Sequence, residues 1–371
     1  MSFGLLKHFK DLKKNQHETV KTSHAQHVIV GHDLGAVLKL VELKKSSPSE
    51  SIKLISSRPL NRDSLVETYE YNVNLLRSPQ AVESIYKRFF NARISPQSGE
   101  PSFYKDGKFH DFSGRAKSME IQEGEHFFMT TGYKVDISSL FSAEDWEQLD
   151  AILKEHQEIR IFESIEKTKP EDLVDKAEWT LNFKDFNRVT CENLYLSMSP
   201  KKFLSLLSNK DSLSPELIDL CSGVRIQAGI SVSWILKKEY QNEEKTLFIP
   251  QSMTHEWGHF IVEFESFNHK ANTQTCHVLF LIHEEEPQTE DLGSKIKLMK
   301  RVLDRVFPDI EKNITKEYIR FDEEMFISEI KEAALEQVGF DYPNLKFLGQ
   351  MAPVPNEFSG EKFLTRTLLN Q

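Results

Sequence analysis

The segment "VIVGHDLGAVLKLVELKK" (28–45), followed by "IKLISS" (52–57), decides the fold of this chain. It opens with a short apolar run, and a turn that contains Gly31 follows. Apolar side chains then recur at helical spacing, and a second apolar run begins at Ile52. A strand, a glycine turn, a helix and a second strand form the start of a parallel βαβ unit. The segment therefore predicts an α/β fold.

The rest of the chain predicts further strands and helices. Short strands are predicted at "WTLNF" (179–183) and within 189–199. A helix is predicted directly after the second of these strands. Residues 224–286 alternate apolar and polar side chains with a period of two, which is typical of an antiparallel sheet, and we predict a meander there. A long amphipathic helix is predicted after the meander, and a last strand at 344–349.

The length predicts two packed domains, because 371 residues exceed what one hydrophobic core usually serves. The first is a Rossmann-like domain built from three separate segments. The second is an inserted α+β domain that contains the antiparallel sheet. Residues 1–25 are predicted to form an N-terminal helical arm. The predicted boundaries are 26–75, 179–223 and 340–371 for the Rossmann-like domain, and 76–178 and 224–339 for the inserted domain.

Charge and composition exclude several classes of protein. The formal net charge is −10 and no basic cluster contains interleaved aromatic residues, which argues against nucleic acid as the partner. No run of 18 apolar residues occurs, so no membrane span is predicted. The 3 cysteines are far apart and odd in number, so no disulfide framework follows. A reducing, cytoplasmic location is the resulting expectation.

The string "HEWGH" (255–259) has the HExxH spacing by which one helix offers two histidines to zinc and a glutamate to a water molecule. His255 and His259 would be the metal ligands and Glu256 the general base. Candidates for a third ligand are Glu265, His283 and Glu284. However, the following "HFIVEFESF" is β-branched and aromatic, and Pro250 leaves no room for a helix to begin before the string. We therefore predict a strand here and no metal site.

Three segments, in this order, resemble the flavin-dependent amine oxidases and their relatives, which include the protoporphyrinogen oxidases and the Rab GDP-dissociation inhibitors. They are the βαβ segment that opens this section, "CENLYLSMSPKKFLSLL" (191–207) and "YPNLKFLGQMAPVPNEFSGEKFLTRTLL" (342–369). The resemblance spans about 27–370. It implies a Rossmann-like FAD/NAD(P)-binding domain with an inserted α+β substrate-type domain. It also implies FAD as the cofactor.

The glycine motif departs from the family's pattern. In GxGxxG the first glycine makes the turn, the second lets the backbone approach the pyrophosphate, and the third packs the helix on the strand. Here these positions hold Gly31, Asp33 and Ala36, with Gly35 just before the third. A carboxylate at the second position faces a doubly negative pyrophosphate at a helix N-terminus. Two like charges ~4 Å apart cost about 4 kcal/mol at an effective dielectric of about 20.

Two other cofactor contacts that the resemblance implies are also changed. The acid that ends the family's second strand and binds the ribose hydroxyls is Ser56 here, and Arg58 would suit the extra phosphate of an NADP-like ligand. Near the C-terminus, the family's glycine and acid that hold the flavin's ribityl chain are replaced by Gly349 and Gln350, and glutamine is an uncharged acceptor. The candidate cofactor-binding residues are Gly31, Asp33, Gly35, Ser56, Arg58, Gly349 and Gln350.

Three functions follow from these patterns. The departures together predict a flavin amine-oxidase-like protein with an eroded dinucleotide site, which acts without catalysis or on an altered ligand. Its partner would be a small molecule, a lipid or a protein. The first alternative is a working FAD-dependent oxidoreductase of the amine oxidase type. The minor alternative is an HExxH zinc metallopeptidase. The sequence names no catalytic residue, because spatial adjacency is hidden in it.

Overall fold

A computed structural model describes residues 21–70, 73, 77, 79–112, 123–168, 178–224, 226–254, 258–282, 292–327 and 341–348. The helices of the described residues are α1 (Leu34–Ser46), α2 (Arg62–Glu70), α3 (Pro79–Arg88), α4 (Ala143–His156), α5 (Pro200–Leu206), α6 (Pro215–Gly223) and α7 (Leu292–Val306). The strands are β1 (Thr22–Val30), β2 (Ile52–Ser56), β3 (Arg93–Pro96), β4 (Ser102–Lys105), β5 (Lys108–Asp111), β6 (Tyr133–Asp136), β7 (Gln157–Ile159), β8 (Phe162–Lys167), β9 (Trp179–Phe183), β10 (Arg188–Leu196), β11 (Ile226–Leu236), β12 (Thr246–Ile249), β13 (Phe260–Phe264), β14 (Gln274–Ile282), β15 (Ile314–Ile327) and β16 (Leu345–Phe347).

The first sheet is doubly wound. Its parallel strands lie in the order β7-β2-β1-β10-β16. Strands β9 and β8 continue it in antiparallel fashion, and β9 pairs with the first half of β10. The order reverses beside β1, so the carboxyl ends of β1 and β10 border the crevice in which such sheets bind ligands. The predicted α/β, Rossmann-like fold is confirmed.

Helices cover both faces of this sheet. Successive side chains of a strand point to opposite faces, and β1 is buried on both. Ile29 packs with Val37 of α1 and Trp146 of α4 on one face. Val28 packs in the same cluster as Phe203 of α5 on the other face. Burial on both faces explains why the end of the strand, Val28 to Val30, is continuously apolar.

The second sheet has the order β15-β11-β14-β13-β12-β4-β5, and its pairs are antiparallel except for the parallel pair β12 and β4. Helix α7 covers one face, with Met299 and Leu303 in a cluster that includes Phe280 of β14. The opposite face packs against Phe127 and Phe128. The predicted long helix and the additional α+β domain are both present. A separate pair of strands, β3 and β6, forms a small ribbon.

The strand order of the second sheet differs from the predicted meander. β12, β13 and β14 are sequential neighbours, but β11 pairs with β14 and not with β12. β15, to which the sequence analysis gave no strand, pairs along the other side of β11. β11 is buried along most of its length, so it takes an interior position with a partner on each side.

Two predicted boundaries also differ. Residues 22–25, the end of the predicted helical arm, belong to β1 because they pair in parallel with 188–191; residues 1–20 lie outside the described part. β7 and β8 fall within the segment 76–178 that was assigned to the inserted domain, yet both belong to the first sheet. β7 is three residues long and only partly apolar, so pairing with β2 and not its own periodicity sets its position. Across the residues described, no helix is long and apolar enough to cross a membrane.

Candidate functional site

The turn between β1 and α1 lies where three parallel strands end. The Gly31 N–H donates to the carbonyl of Ile55 at 3.0 Å, and the Ser197 N–H, just after β10, donates to the carbonyl of Val30 at 2.7 Å. A Cβ placed on Gly31 would lie 2.5 Å from the Cβ of Ser197, a distance that real Cβ atoms do not reach. A side chain at this position would therefore push the strand ends apart, which accounts for the glycine.

Asp33, at the second position of the motif, caps helix α1. Its Oδ1 accepts a hydrogen bond from the Ala36 N–H at 2.9 Å, and its Oδ2 accepts one from the Ser197 hydroxyl at 2.5 Å. Burial raises the pKa of the Asp33 carboxyl above its ordinary value, against the opposing effect of these hydrogen bonds. The N-terminus of the first helix, where a dinucleotide-binding fold receives a pyrophosphate, thus already holds a carboxylate of the protein itself.

The hydroxyl at the end of β2 is also occupied. The Ser56 hydroxyl donates to the carbonyl of Arg58 at 2.7 Å and accepts from the Gln157 side-chain amide at 2.8 Å. Ser56 is buried, and Arg58 is exposed. Gln157, at the start of β7, was not among the sequence candidates. The side chain that would have to bind a ribose hydroxyl is therefore held by two partners within the first domain.

The second sheet reaches the same crevice through β15. The Ser199 hydroxyl donates to Oε1 of Glu324 at 2.5 Å, and the Ser199 N–H donates to Oε2 at 3.2 Å. Ser199 also caps α5, because its hydroxyl accepts from the Lys202 N–H at 3.1 Å. The sequence offered a partial signal for this serine, since serine before Pro200 is a common start of a helix. It offered none for Glu324.

Cations surround the exposed side of the glycine turn. Partial desolvation of the His32 ring, and then the nearby charges of Arg58, Lys202 and Arg320, lower its pKa to about 4. His32 is therefore neutral at pH 7. These three cations come from three different elements, namely the loop after β2, α5 and β15. Arg320 is paired with Asp322 at 2.8 Å, so an anionic group of a ligand would meet chiefly the charges of Arg58 and Lys202 on this side of the turn.

Two groups at positions where the resemblance implies contacts with FAD are hydrogen-bonded within the chain itself. The amide at the start of α1 that would receive the pyrophosphate is bonded to Asp33, and the Ser56 hydroxyl is already bonded to Gln157 and Arg58. The predicted contacts Gly349 and Gln350 lie outside the described residues. Gly35 is buried inside the first turn of α1.

The HExxH string is only partly described, because His255 and Glu256 lie outside the described residues. Its last residue, His259, is buried, and β13, the strand that the composition predicted, begins at the next residue. The His259 N–H donates to Oε1 of Glu125 at 2.8 Å, and its Nδ1 lies 2.7 Å from Oε2. Among the described residues no group of three His, Cys, Asp or Glu side chains could hold a metal ion. Glu265 is a neighbour of His277, and His283 and Glu284 are not described.

Buried polar groups on the face of the second sheet that packs against Phe127 and Phe128 pair with one another. Arg77 and Glu263 form an ion pair at 2.5 Å with both side chains almost fully buried. A separate hydrogen-bond network connects Ser233, His277 and Glu265. The Ser233 hydroxyl lies 2.8 Å from Nδ1 of His277, and Nε2 of His277 lies 3.1 Å from Oε1 of Glu265. Lys134 also pairs with Glu265. Each of these groups has a partner, as buried polar atoms require.

No protein-family model matches the sequence, and no curated protein matches it either. Solved structures match over nearly the whole chain. Cyclohexylamine oxidase from Brevibacterium oxydans has a TM-score of 0.59 at 8% identity and covers 93% of this chain and 99% of its own. A putrescine oxidase variant from a redesign of cofactor binding has a TM-score of 0.57 at 10% identity and covers 94% of this chain and 99% of its own.

The chain has the amine oxidase fold. A fatty acid isomerase from P. acnes that produces CLA is similar as well, with a TM-score of 0.58, 11% identity, and coverage of 93% of this chain and 97% of its own. A Rab GDI from Plasmodium falciparum is a weaker match at 0.48. Identities this low establish the fold alone, because one fold serves many chemistries.

Proposed function

We propose that this amine-oxidase-fold protein does not work as a flavoenzyme, and that it binds an altered ligand or a protein partner in the crevice of its first sheet. The observation that carries the proposal is the Asp33 carboxylate. It is bonded to the Ala36 N–H at 2.9 Å and to the Ser197 hydroxyl at 2.5 Å, in the place where a pyrophosphate would be received. A bound dinucleotide would have to displace this carboxylate or lie beside it.

The ligand or partner remains a choice between a small molecule, a lipid and a protein. The cations near His32 support an anionic group on whatever binds. The 3 cysteines are free and buried, which suits the reducing conditions of the cytoplasm. Burial raises the pKa of Cys276 well above its ordinary value, so this thiol is a poor nucleophile.

An absorbance spectrum of the purified protein between about 300 and 600 nm is the first test. We expect no flavin bands, before or after release of ligands by heat, and none after incubation with FAD and gel filtration. Flavin near one equivalent in the purified protein would overturn the proposal. It would favour the second candidate, a working FAD-dependent oxidoreductase, for which the cations around the turn are the supporting observation.

Substitutions at Asp33 separate the effect of its charge on FAD affinity from the effect of its side-chain shape. Asp33→Gly combined with Ser56→Glu restores the usual residue types at both positions and is expected to raise FAD affinity. Asp33→Asn combined with Ser56→Glu is the matched control, because the two double variants differ only at position 33, where asparagine keeps the side-chain volume and removes only the charge. A gain in FAD affinity with glycine but not with asparagine would mean that the volume of the side chain at position 33, and not its charge, prevents FAD from binding. No gain with either variant would contradict the position assigned to Asp33.

A further inference from the structure

Strand β15 forms one edge of the second sheet. It pairs with β11 on one side, and no strand of the described residues pairs with its other side. The N–H and C=O groups along an edge strand can bind a further strand. Two apolar side chains of β15 are also exposed, with exposed fractions of 49% for Ile319 and 36% for Phe321. An open backbone edge beside exposed apolar side chains suits the addition of another strand.

The hydrogen bonds of β11 decide which groups of β15 point outward. The N–H of Lys237, just after β11, donates to the carbonyl of Asn313, just before β15, at 3.0 Å. Every second residue of an antiparallel strand bonds to the same neighbour. Odd-numbered residues of β11 therefore bond towards β15, and even-numbered residues bond towards β14. The Thr315 hydroxyl agrees with this assignment, because it donates to the Ile235 carbonyl at 2.8 Å.

The same alternation applies to β15. Tyr318 and Arg320 lie opposite odd-numbered residues of β11, so their N–H and C=O groups bond to β11. Glu317, Ile319 and Phe321 lie opposite even-numbered residues of β11. The backbone groups of these three residues therefore point to the open side of β15.

Bulges limit the part of β15 that another strand can follow. The register between β15 and β11 is regular from Lys316 to Asp322, and it shifts beyond each end of this stretch. A bulge bends the strand and interrupts its pairing. The midpoint of the regular stretch is Ile319, one of the residues whose backbone groups point outward. A second strand would therefore pair around Ile319.

We propose that β15 of one copy pairs antiparallel with β15 of a second copy, with the two-fold axis at Ile319. In such a symmetric contact, residues at equal distances before and after the axis lie opposite each other. Lys316 of each copy then lies opposite Asp322 of the other, and the two Ile319 side chains lie opposite each other. Phe321 lies diagonal to Ile319 of the second copy and on the same face, within reach of it. The second sheets of both copies form one continuous sheet.

Charge complementarity favours a second copy as the occupant of this edge. Lys316 and Asp322 lie at opposite ends of the regular stretch, so antiparallel self-pairing brings opposite charges together twice. Lys316 is exposed. Asp322 also accepts from Nε of Arg320 in its own chain at 2.8 Å, which holds its carboxylate in place. The stretch is therefore complementary to itself in charge as well as in its apolar side chains.

The negative charges near this contact are partly offset. Glu317 is paired with Lys300 of α7 at 2.6 Å. Glu323 is exposed but lies beyond the regular stretch. The formal net charge of −10 repels two copies at a distance, although charges more than ~8 Å apart are largely screened at an ionic strength of about 0.15 M. At physiological ionic strength the contact is therefore governed chiefly by the residues that meet in it.

The oligomeric state of the full chain tests the proposal. We expect sedimentation velocity at physiological ionic strength to show a reversible dimer, whose mass approaches that of two chains as the concentration is raised. In the dimer, residue-resolved hydrogen exchange should slow at the amides of Ile319 and Phe321, because the second copy binds them. Exchange at Tyr318 and Arg320 should stay unchanged, because these amides bond to β11. A single-chain mass at every concentration would overturn the proposal, and so would a dimer in which the outward amides exchange as in the monomer.

Ile319→Lys places two positive charges opposite each other at the two-fold axis. We expect the dissociation constant of the dimer to rise about tenfold or more, because the change removes an apolar pair and adds a repulsive one. Ile161→Lys is the matched control, because Ile161 has an exposed fraction of 59% and lies between β7 and β8, away from β15 in sequence. The control should form the dimer as the wild type does. Equal weakening by both variants would contradict a contact at β15.

A charge exchange tests the register of the contact. Lys316→Asp alone places two acids opposite each other, and Asp322→Lys alone places two lysines opposite each other. Each single variant is expected to raise the dissociation constant of the dimer about threefold to tenfold. The double variant restores opposite charges with their signs exchanged, so it should recover most of the lost affinity. A double variant as weak as the single variants would overturn the pairing around Ile319.

Discussion

Asp33 follows β1 of the first sheet and Glu324 lies on β15 of the second sheet, yet their carboxylates bind serines that are two residues apart. Asp33 accepts from the Ser197 hydroxyl, and Glu324 accepts from the Ser199 hydroxyl, each at 2.5 Å. Both serines follow β10, at the carboxyl edge where the fold binds its ligands. Asp33 therefore holds the loop after β10 against the start of α1, and Glu324 holds the same loop against β15. The Glu324 carboxylate is the one of these two that links the second sheet to the first.

Loss of the Glu324 carboxylate should loosen the contact between the sheets. Glu324→Gln keeps the shape but replaces a charged acceptor, and we expect the free energy of unfolding in urea to fall by about 1–2 kcal/mol. Amide hydrogen exchange should accelerate in 197–202 and in 320–325. Glu323→Gln is the control, because Glu323 is exposed on the same strand. If both variants behave alike, Glu324 does not tie the sheets. Ser199→Ala is less suitable, because it also removes the cap of α5.

The protonation of Asp33 should appear in the pH dependence of stability. Its pKa is raised in the folded state above the ordinary 3.8, so the folded chain binds this proton more tightly than the unfolded chain. Its contribution is fully present below the unfolded pKa and is lost as the pH rises through the folded pKa. Asp33→Asn removes the ionisation, so its stability relative to the wild type should increase from pH ~4 to ~7, by at most about 1.4 kcal/mol per pH unit.

Urea unfolding of Asp33→Asn at several pH values measures this difference directly. Asp150→Asn is the control, because Asp150 is exposed on α4 and far from the crevice in sequence. A difference between Asp33→Asn and wild type that stays constant with pH would mean that Asp33 is ionised over the whole range. In that case the carboxylate charge would be stabilised by groups beyond Ser197 and the helix N-terminus.

Local patterns in the sequence predicted the elements whose side chains are strongly periodic. β1, α1 and β2 were predictable because the apolar spacing changes from strand to helix and back between residues 28 and 57. β13 was predictable because its residues are β-branched and aromatic. β15 was missed because charged side chains interrupt the alternation along "ITKEYIRFDEEMFI". An edge strand needs an apolar residue at fewer positions than an interior strand does.

A residue of the candidate site could be predicted only where a local motif fixes the role of that position. Asp33 was identified because the glycine motif fixes what its position must do. Its partner Ser197 is 164 residues away, and Ser199 is 125 residues from Glu324. No local pattern relates residues so distant, so their pairing depends on the folded topology. The same applies to His259 and Glu125, which are 134 residues apart.

Lys134 should protect the fold against acid through Glu265. Burial raises the pKa of Glu265, but the hydrogen bond and charge of His277 and the charge of Lys134 outweigh it and lower the pKa to about 2. This group therefore stabilises the fold above its ordinary pKa of 4.5, and the stabilisation is lost as the pH falls towards 2. Lys134→Gln should shift acid unfolding, followed by circular dichroism, to higher pH. Lys108→Gln, an exposed lysine on β5, should leave the transition in place.

His259 should contribute to stability and not to metal binding. It is buried against Glu125, and removal of one partner of a buried pair leaves the other without compensation. His259→Ala is expected to lose about 3 kcal/mol of unfolding free energy. His269→Ala, at an exposed turn position, should lose little. Elemental analysis of the wild type should find zinc well below one equivalent. One equivalent that disappears in His259→Ala would contradict the structural role.

Phe186→Gly should make the protein more stable. Glycine adopts a φ of 61° without the steric cost that phenylalanine has there, so we expect the free energy of unfolding to rise by about 1 kcal/mol. Asn272→Gly is the control, because Asn272 has a φ of 54° but asparagine tolerates this conformation, and its gain should be smaller. Urea unfolding of both variants and of the wild type measures these differences. A Phe186→Gly variant that loses stability instead would show that contacts of the ring in the folded state outweigh the backbone strain at this position.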